Sequence, residues 1–182
     1  MALLDFLLRS RRDITALHFD HGTKHGTEAR DFVESYCKEH DIPLVVGEIS
    51  RERRSKESLE EYWRTERYEF FSQFSDAPIL TAHHLSDATE WWVYTALHGE
   101  PKLIPYKRRN VIRPFLLTPK KVLQKWCQNH DVAFCYDSGN EDMKHMRSIV
   151  RHHLIPSAKL INPGVETVVK KMLMKKYNAR GK

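Results

Sequence analysis

Apolar residues recur along this chain in two alternating rhythms. Short apolar runs are separated by longer stretches whose apolar positions fall three and four apart, so the pattern predicts strands alternating with amphipathic helices. The strands fall at 13–19, 44–49, 78–82 and 132–136. Ala29, Phe32, Val33, Tyr36 and Cys37 form one helical stripe, with Thr27 as its cap. Leu59, Tyr62, Trp63, Phe70, Phe71 and Phe74 form another, opened by Ser58 and Glu61 as a capping box. Met1–Leu8 is apolar enough for a buried helix yet has no cap before it. Strands and helices that alternate through short connections argue for an α/β fold with a doubly wound, mostly parallel sheet.

The third of these strands leads into the stretch LTAHHLSDATEWW, residues 80–92. Ser86 offers a cap for a helix over 88–97, and Asp87 and Glu90 then share one face of its first turn, where the helix dipole favours carboxylates. Two ionised acids at the carboxyl edge of a parallel strand make a place for a cation or an ammonium group. The plainer alternative is that both acids only serve the helix terminus.

The second half is less regular. HGEPKLIPYKRR, residues 98–109, reads as a basic loop suited to phosphates, with a solvated charge run as the alternative. Residues 110–115 read as an edge segment because Pro114 cannot donate to a sheet ladder. Thr118 and Pro119 cap and open a helix with Val122, Leu123, Trp126 and Cys127 on its buried stripe. A turn at 137–140 precedes a helix capped by Asp142 and ending at Pro156, with Met143, Met146, Val150 and Leu154 inward. Arg147 and Arg151, four apart, project from it as two anion-binding forks, or as surface arginines paired to nearby acids. A basic amphipathic helix over 163–177 follows. The organisation read from this is an α/β core over 1–117 and a mainly helical part with a basic tail over 118–182.

Composition narrows the class. A chain of 182 residues that is 41% hydrophobic and 30% charged has the balance of a globular protein, and no apolar run reaches the length of a membrane span. Without an export signal, and with the three cysteines Cys37, Cys127 and Cys135 at no paired ligand spacing, the reading is a reducing cytoplasm and structural thiols. A net charge of +6 points to a polyanionic partner.

Taken together, LTAHHLSDATEW, RRNVIRPFL and DSGNEDMKHMRSIVRHHLIPSAKLINPG, in this order, resemble the tRNA(Ile)-lysidine synthetases, members of the PP-loop ATP pyrophosphatases. The loop LHFDHGT is similar to the family's H-x-x-H-G segment. The resemblance implies adenylation of the wobble cytidine of an isoleucine tRNA by ATP with Mg2+, followed by attack of the side-chain amine of free lysine. It implies further that Asp87, Glu90 and Arg151 form the catalytic lysine site, with Arg147 beside them, and that His21 and His83 lie next to the nucleotide. Free lysine presents an ammonium suited to paired carboxylates and a carboxylate suited to a guanidinium.

The sequence departs from that pattern. The family's S-G-G-x-D-S loop and the strand before it are missing, and Met1 falls where that loop should just have ended. Three readings account for this: a start recorded at an internal methionine, a remnant gene, or a partner chain, such as the second copy in a homodimer, that completes the sheet. The loop's backbone amides form the anion cradle, so the chain as given is expected to bind ATP poorly. Ser148 stands where the family usually has asparagine, and the chain ends soon after Asn162-Pro163-Gly164 where many members continue. Two further readings compete with a lysidine synthetase. One is an inactive RNA-binding remnant; the other is a different PP-loop reaction such as thiolation, against which the isolated cysteines argue. Zinc ligation by His83-His84 and His152-His153 is disfavoured, because adjacent side chains in a strand or helix point apart.

Overall fold

The structure is a computed structural model that describes residues 1–135 and 146–178. It resolves into two compact units, one built from Leu3–Ile79 and the other from Leu80–Val132 with the C-terminal helices.

The first unit begins with α1 (Ala2–Arg9), which buries Leu3 but leaves Phe6 44% exposed. Its Asp5 is buried and ion-paired to Arg9 at 2.9 Å, one helical turn on. β1 (Ala16–Asp20) and β2 (Leu44–Glu48) pair in parallel, Ala16 opposite Leu44 through Asp20 opposite Glu48. The crossover between them is α2 (Lys24–Glu39), and α3 (Leu59–Ser72) follows β2. Helix α3 packs so closely on β2 that a Cβ at Gly47 would lie 2.5 Å from the Phe70 ring. Parallel pairing with helical crossovers is as the pattern of apolar runs predicted.

Several sequence expectations need correction. Helix α2 is capped by Thr23, not Thr27: Thr23 is extended, and its hydroxyl accepts from Gly26 N at 3.0 Å. Gly26 permits this early start, because a Cβ there would meet Asp20 Oδ1 at 2.5 Å. The stripe of α3 buries Tyr62 and Phe70, but Leu59 is exposed. Glu66 is 2% exposed. Its carboxylate accepts from the amide and hydroxyl of Ser50, both at 2.9 Å, and Arg51 Nε lies 2.9 Å away as an ion pair. These contacts hold the Glu66 carboxyl below its usual range, the Ser50 amide first among them. Arg51 also forks onto both oxygens of Glu57, at 2.7 and 2.9 Å, and its carbonyl accepts from the Tyr62 hydroxyl. The basic run after β2 is therefore fastened to α3, with Arg51 held between two carboxylates.

The second unit contains a sheet in the order β3 (Ile79–Leu80), β5 (Val111–Ile112), β4 (Lys107–Arg108). Residues 110–115 thus supply the middle strand, not an edge. Pro114 lies beyond β5 and costs the ladder nothing. β4 and β5 form an antiparallel hairpin inside what the sequence presented as a loop. Helix α4 (Leu85–Leu97) is capped by His84, whereas Ser86, the expected cap, lies inside the first turn and donates to Glu166 at 3.2 Å. Helix α5 (Lys120–Asn129) starts after Pro119 with no side-chain cap, so Thr118 does not fill that role. The stretch from Val132 to Cys135 is not a strand; only Val132 is buried, and Tyr136 lies outside the described residues.

Near the C-terminus, α6 (Met146–Ile149) passes into a π-helical stretch (Val150–Leu154) and then into α7 (Ile155–Ile161). The chain therefore stays helical through Pro156 instead of ending there. The wider turn just before the proline absorbs its missing N–H, which would interrupt a regular ladder. Met146 is 55% exposed and not inward, while Val150 is 3% exposed. Met143, the turn at 137–140 and the Asp142 cap lie outside the described residues. Helix α8 (Val165–Asn178) buries Val165, Val169 and Leu173. Val169 and Leu173 join Leu85, Ala88 and Leu116 in the core of this unit. Each fully buried leucine contributes about 1.5–3 kcal/mol.

Helices α2 and α5 stop by the same device. His40 stacks on Tyr36 and His130 on Trp126, both with ring centroids 4.1 Å apart, and each Nδ1 lies 3.0 Å from the carbonyl of that aromatic residue. Asp41 and Asp131 follow with φ of 53° and 52°. The amides of Ile42 and Val132 then reach back to Cys37 and Cys127 at 2.8 and 2.9 Å. This is a Schellman end with aspartate where glycine is unstrained. Asp41→Gly and Asp131→Gly are each expected to raise stability by about 0.5–1 kcal/mol, read as a higher urea midpoint. An unchanged or lower midpoint would show that these aspartates carry no strain.

Candidate functional site

The site is built at the start of α4. His84 is extended and closes a capping box: its amide donates to Asp87 Oδ2 at 2.8 Å, and its Nδ1 accepts from Asp87 N at 3.3 Å. Accepting at Nδ1 requires a neutral ring, and burial lowers the His84 pKa in that direction, against the attraction of Asp87. Asp87 is thus oriented by the helix terminus, as the plainer reading proposed. It also faces the charge that the other reading required.

Glu90, one turn on, is 5% exposed. Arg151 crosses to it from the π-helical stretch, donating from Nε to Oε1 at 2.9 Å and from Nη2 to Oε2 at 3.0 Å. The same Nη2 lies 3.9 Å from Asp87 Oδ1. The structure therefore brings Asp87, Glu90 and Arg151 together. Arg147 lies in α6, half-buried, and Ser148 beside it is buried. Ser86 adds a second tie: Glu166 of α8 accepts from its hydroxyl and from Lys159 of α7, each at 3.2 Å.

The two other predicted residues lie in different units. His83 follows β3, with Nδ1 2.9 Å from Thr81 Oγ1. His21 follows β1, its ring 5.1 Å from Phe19 and 5.2 Å from Trp63. Its buried Nδ1 has no hydrogen-bond partner among the described residues, and burial, helped by Arg67, lowers its pKa to about 4. At neutral pH His21 is therefore an uncharged donor or acceptor. His18 is likewise held neutral by burial, with its buried Nε2 unpartnered. Among the described residues, no group of three His, Cys, Asp or Glu side chains is placed to hold a metal ion. Among the described residues, no helix is long and apolar enough to cross a membrane.

Sequence reasoning missed the role of His84 as the cap that orients Asp87. His84 was legible in principle, standing three before Asp87 where a capping partner stands. A family model described as the PP-loop domain matches residues 1–158. The chain belongs to the PP-loop domain family. Among curated proteins, this PP-loop domain is 32% identical over 172 residues to the tRNA(Ile)-lysidine synthase of Thermotoga sp. (strain RQ2), covering 88% of this chain and 42% of that protein. It is 30% identical over 171 residues to the tRNA(Ile)-lysidine synthase of Staphylococcus aureus (strain COL), covering 85% and 39%. It thus spans about two-fifths of the length of these relatives. Among solved structures, it is similar to the U34-tRNA thiolase NcsA from Methanococcus maripaludis with its 4Fe-4S cluster. The TM-score is 0.74 at 12% identity, over 96% of this chain and 67% of that one. The likeness to NcsA establishes the fold, a PP-loop ATP pyrophosphatase fold, as the sequence predicted.

The lowered pKa values of His18 and His21 carry a pH consequence. The unfolded chain takes up protons near the ordinary histidine value that the folded chain refuses, so stability is lost as pH falls from about 7 towards about 4. His21→Phe keeps an aromatic ring against Phe19 and Trp63 and removes one of these groups. It is expected to show a smaller fall in Tm over that range than the unmodified chain, as read by circular dichroism. An identical fall would remove His21 from the account.

Proposed function

We propose that this chain is the lysine-handling part of a tRNA(Ile)-lysidine synthetase, the enzyme that joins free lysine to the wobble cytidine of tRNA(Ile) at the expense of ATP. The charge balance at Glu90 carries the reading. Two carboxylates, Asp87 and Glu90, face one guanidinium, Arg151, while His84 is held neutral, so these four side chains together carry one negative charge in excess. The exposed Lys120 also acts on His84, but solvent screens it. An ammonium is the complement of that excess charge.

In this reading Asp87 is the acid that meets the lysine amine, since only one of its oxygens is taken up by the cap. Glu90 holds Arg151 in place through both of its oxygens. The guanidinium so positioned is the group suited to the substrate carboxylate. Arg147 lies four residues before Arg151 and is the second anion-binding group. ATP, with Mg2+, would supply the activation of the base carbonyl by adenylation. The buried Nδ1 of His21 fits a neutral hydrogen bond to the nucleotide and not a charge contact to phosphate. A sulfur-transfer reading is weaker. Cys37 and Cys127 are buried, and burial pushes the Cys37 thiol up, away from the reactive thiolate.

The test is incorporation of labelled lysine into a tRNA(Ile) transcript with Mg-ATP, using the protein expressed from its native locus. Asp87→Asn and Glu90→Gln are each expected to lower kcat/KM for lysine by about 100-fold or more, the cost of stripping one partner from a buried charge group. Incorporation that is unaffected by both substitutions would overturn the reading.

A further inference from the structure

The basic stretch after α4 is a built surface, not a loose loop. The register of β4 and β5, Lys107 opposite Ile112 and Arg108 opposite Val111, leaves Arg109 and Asn110 as the two-residue connection. Arg109 takes φ of 54°, in the left-handed region where such hairpins normally place glycine, asparagine or aspartate. Lys107, Arg108 and Arg109 are all exposed. The segment 102–109 holds four basic residues and no acid.

Beneath this surface, Arg113 is 2% exposed. It donates from Nη1 to the Pro105 carbonyl at 2.9 Å, and its amide donates to the Tyr106 carbonyl at 2.9 Å. Burying a guanidinium is costly, so a loop held in this way has its shape fixed in advance. The last turns of α8 are brought to the same place. The Tyr177 ring lies edge-on to Tyr106, with centroids 5.6 Å apart, and its hydroxyl donates to the Ile104 carbonyl at 3.4 Å. Lys175 and Lys176 immediately precede Tyr177 in α8. The end of α8 thus braces the segment that leads into the hairpin from 73 residues away.

We propose that the exposed β4–β5 hairpin, braced from beneath by Arg113 and by Tyr177 of α8, binds the backbone phosphates of RNA. The proposal rests on the tRNA-modifying reading above and adds to it the place where the RNA backbone is held. Protection of an edge strand is the competing use for lysine and arginine here. A two-residue strand exposes little edge, however, and edge protection gives no reason to place arginine at a positive φ in the turn. Phosphate contact gives one, because the hairpin tip is where a long cation reaches farthest from the fold.

The test uses a fluorescein-labelled RNA stem-loop titrated over a series of salt concentrations, without ATP or lysine. The variant Lys107→Ser/Arg108→Ser/Arg109→Ser is compared with Lys38→Ser/Lys121→Ser/Lys125→Ser, which removes equal charge from exposed positions on α2 and α5. The hairpin variant is expected to lower the slope of log affinity against log salt by about 2 and to weaken binding at low salt on the order of 10-fold or more. The comparison variant is expected to change the slope by less than about 1. Equal losses in both variants would reduce the effect to net charge and overturn the proposal. So would an unchanged slope in a hairpin variant that instead self-associates, because the cations would then be protecting the edge. The readout involves neither Asp87 nor Glu90, so a failed lysine site with an intact salt effect, or the reverse, separates this proposal from the one it rests on.

Discussion

The pair of hydrogen bonds from Arg151 to Glu90 joins the two segments that carry the site. Glu90 belongs to a helix fixed by its own capping box, whereas Arg151 belongs to a π-helical stretch, a geometry rare except where a function needs a side chain re-aimed. A nearly buried carboxylate without a cation would be expensive, so the two segments depend on each other. Asp87, Glu90 and Arg151 together thus carry two negative charges against one positive.

Much of the surrounding fold follows from where neutral and charged groups are forced together. His84 is neutral because it is buried and must accept from Asp87 N; that neutrality is what leaves the cluster negative. Glu66 shows the opposite solution, a buried acid satisfied by a serine amide, a serine hydroxyl and an arginine. In the proposed reading the first meets a ligand, whereas the second is closed on itself.

Local patterns were legible where one element decides its own form. The parallel pair β1 and β2, the stripes of α2 and α8 and the Ser58 cap follow from periodicity and capping chemistry. Asp87 and Glu90 were read as neighbours on α4, but the helix begins at Leu85, so only Asp87 lies in its first turn. The cap of α4 was misplaced, because histidine is a less familiar cap than serine and the choice depended on Ser86 finding Glu166, 80 residues away. The β4–β5 hairpin was missed for a related reason: two-residue strands carry no alternation, and a left-handed arginine gives no turn signal. The run from Tyr36 to Ile42 and the run from Trp126 to Val132 share aromatic, cysteine, histidine, aspartate and a branched residue at matching places. That repeat was visible in the sequence; its meaning, a helix stop, needed the left-handed aspartates.

The central claim is that the cluster of Asp87, Glu90 and Arg151 selects lysine by its ammonium, and the most direct measurement is calorimetric titration of the chain with lysine and with norleucine. Norleucine keeps the amino-acid head and the alkyl chain but has no side-chain amine. The account predicts binding of lysine and at least about 10-fold weaker binding of norleucine, the discrimination expected when a polar site is left without its partner. Equal binding of the two, or no binding of lysine, would contradict it.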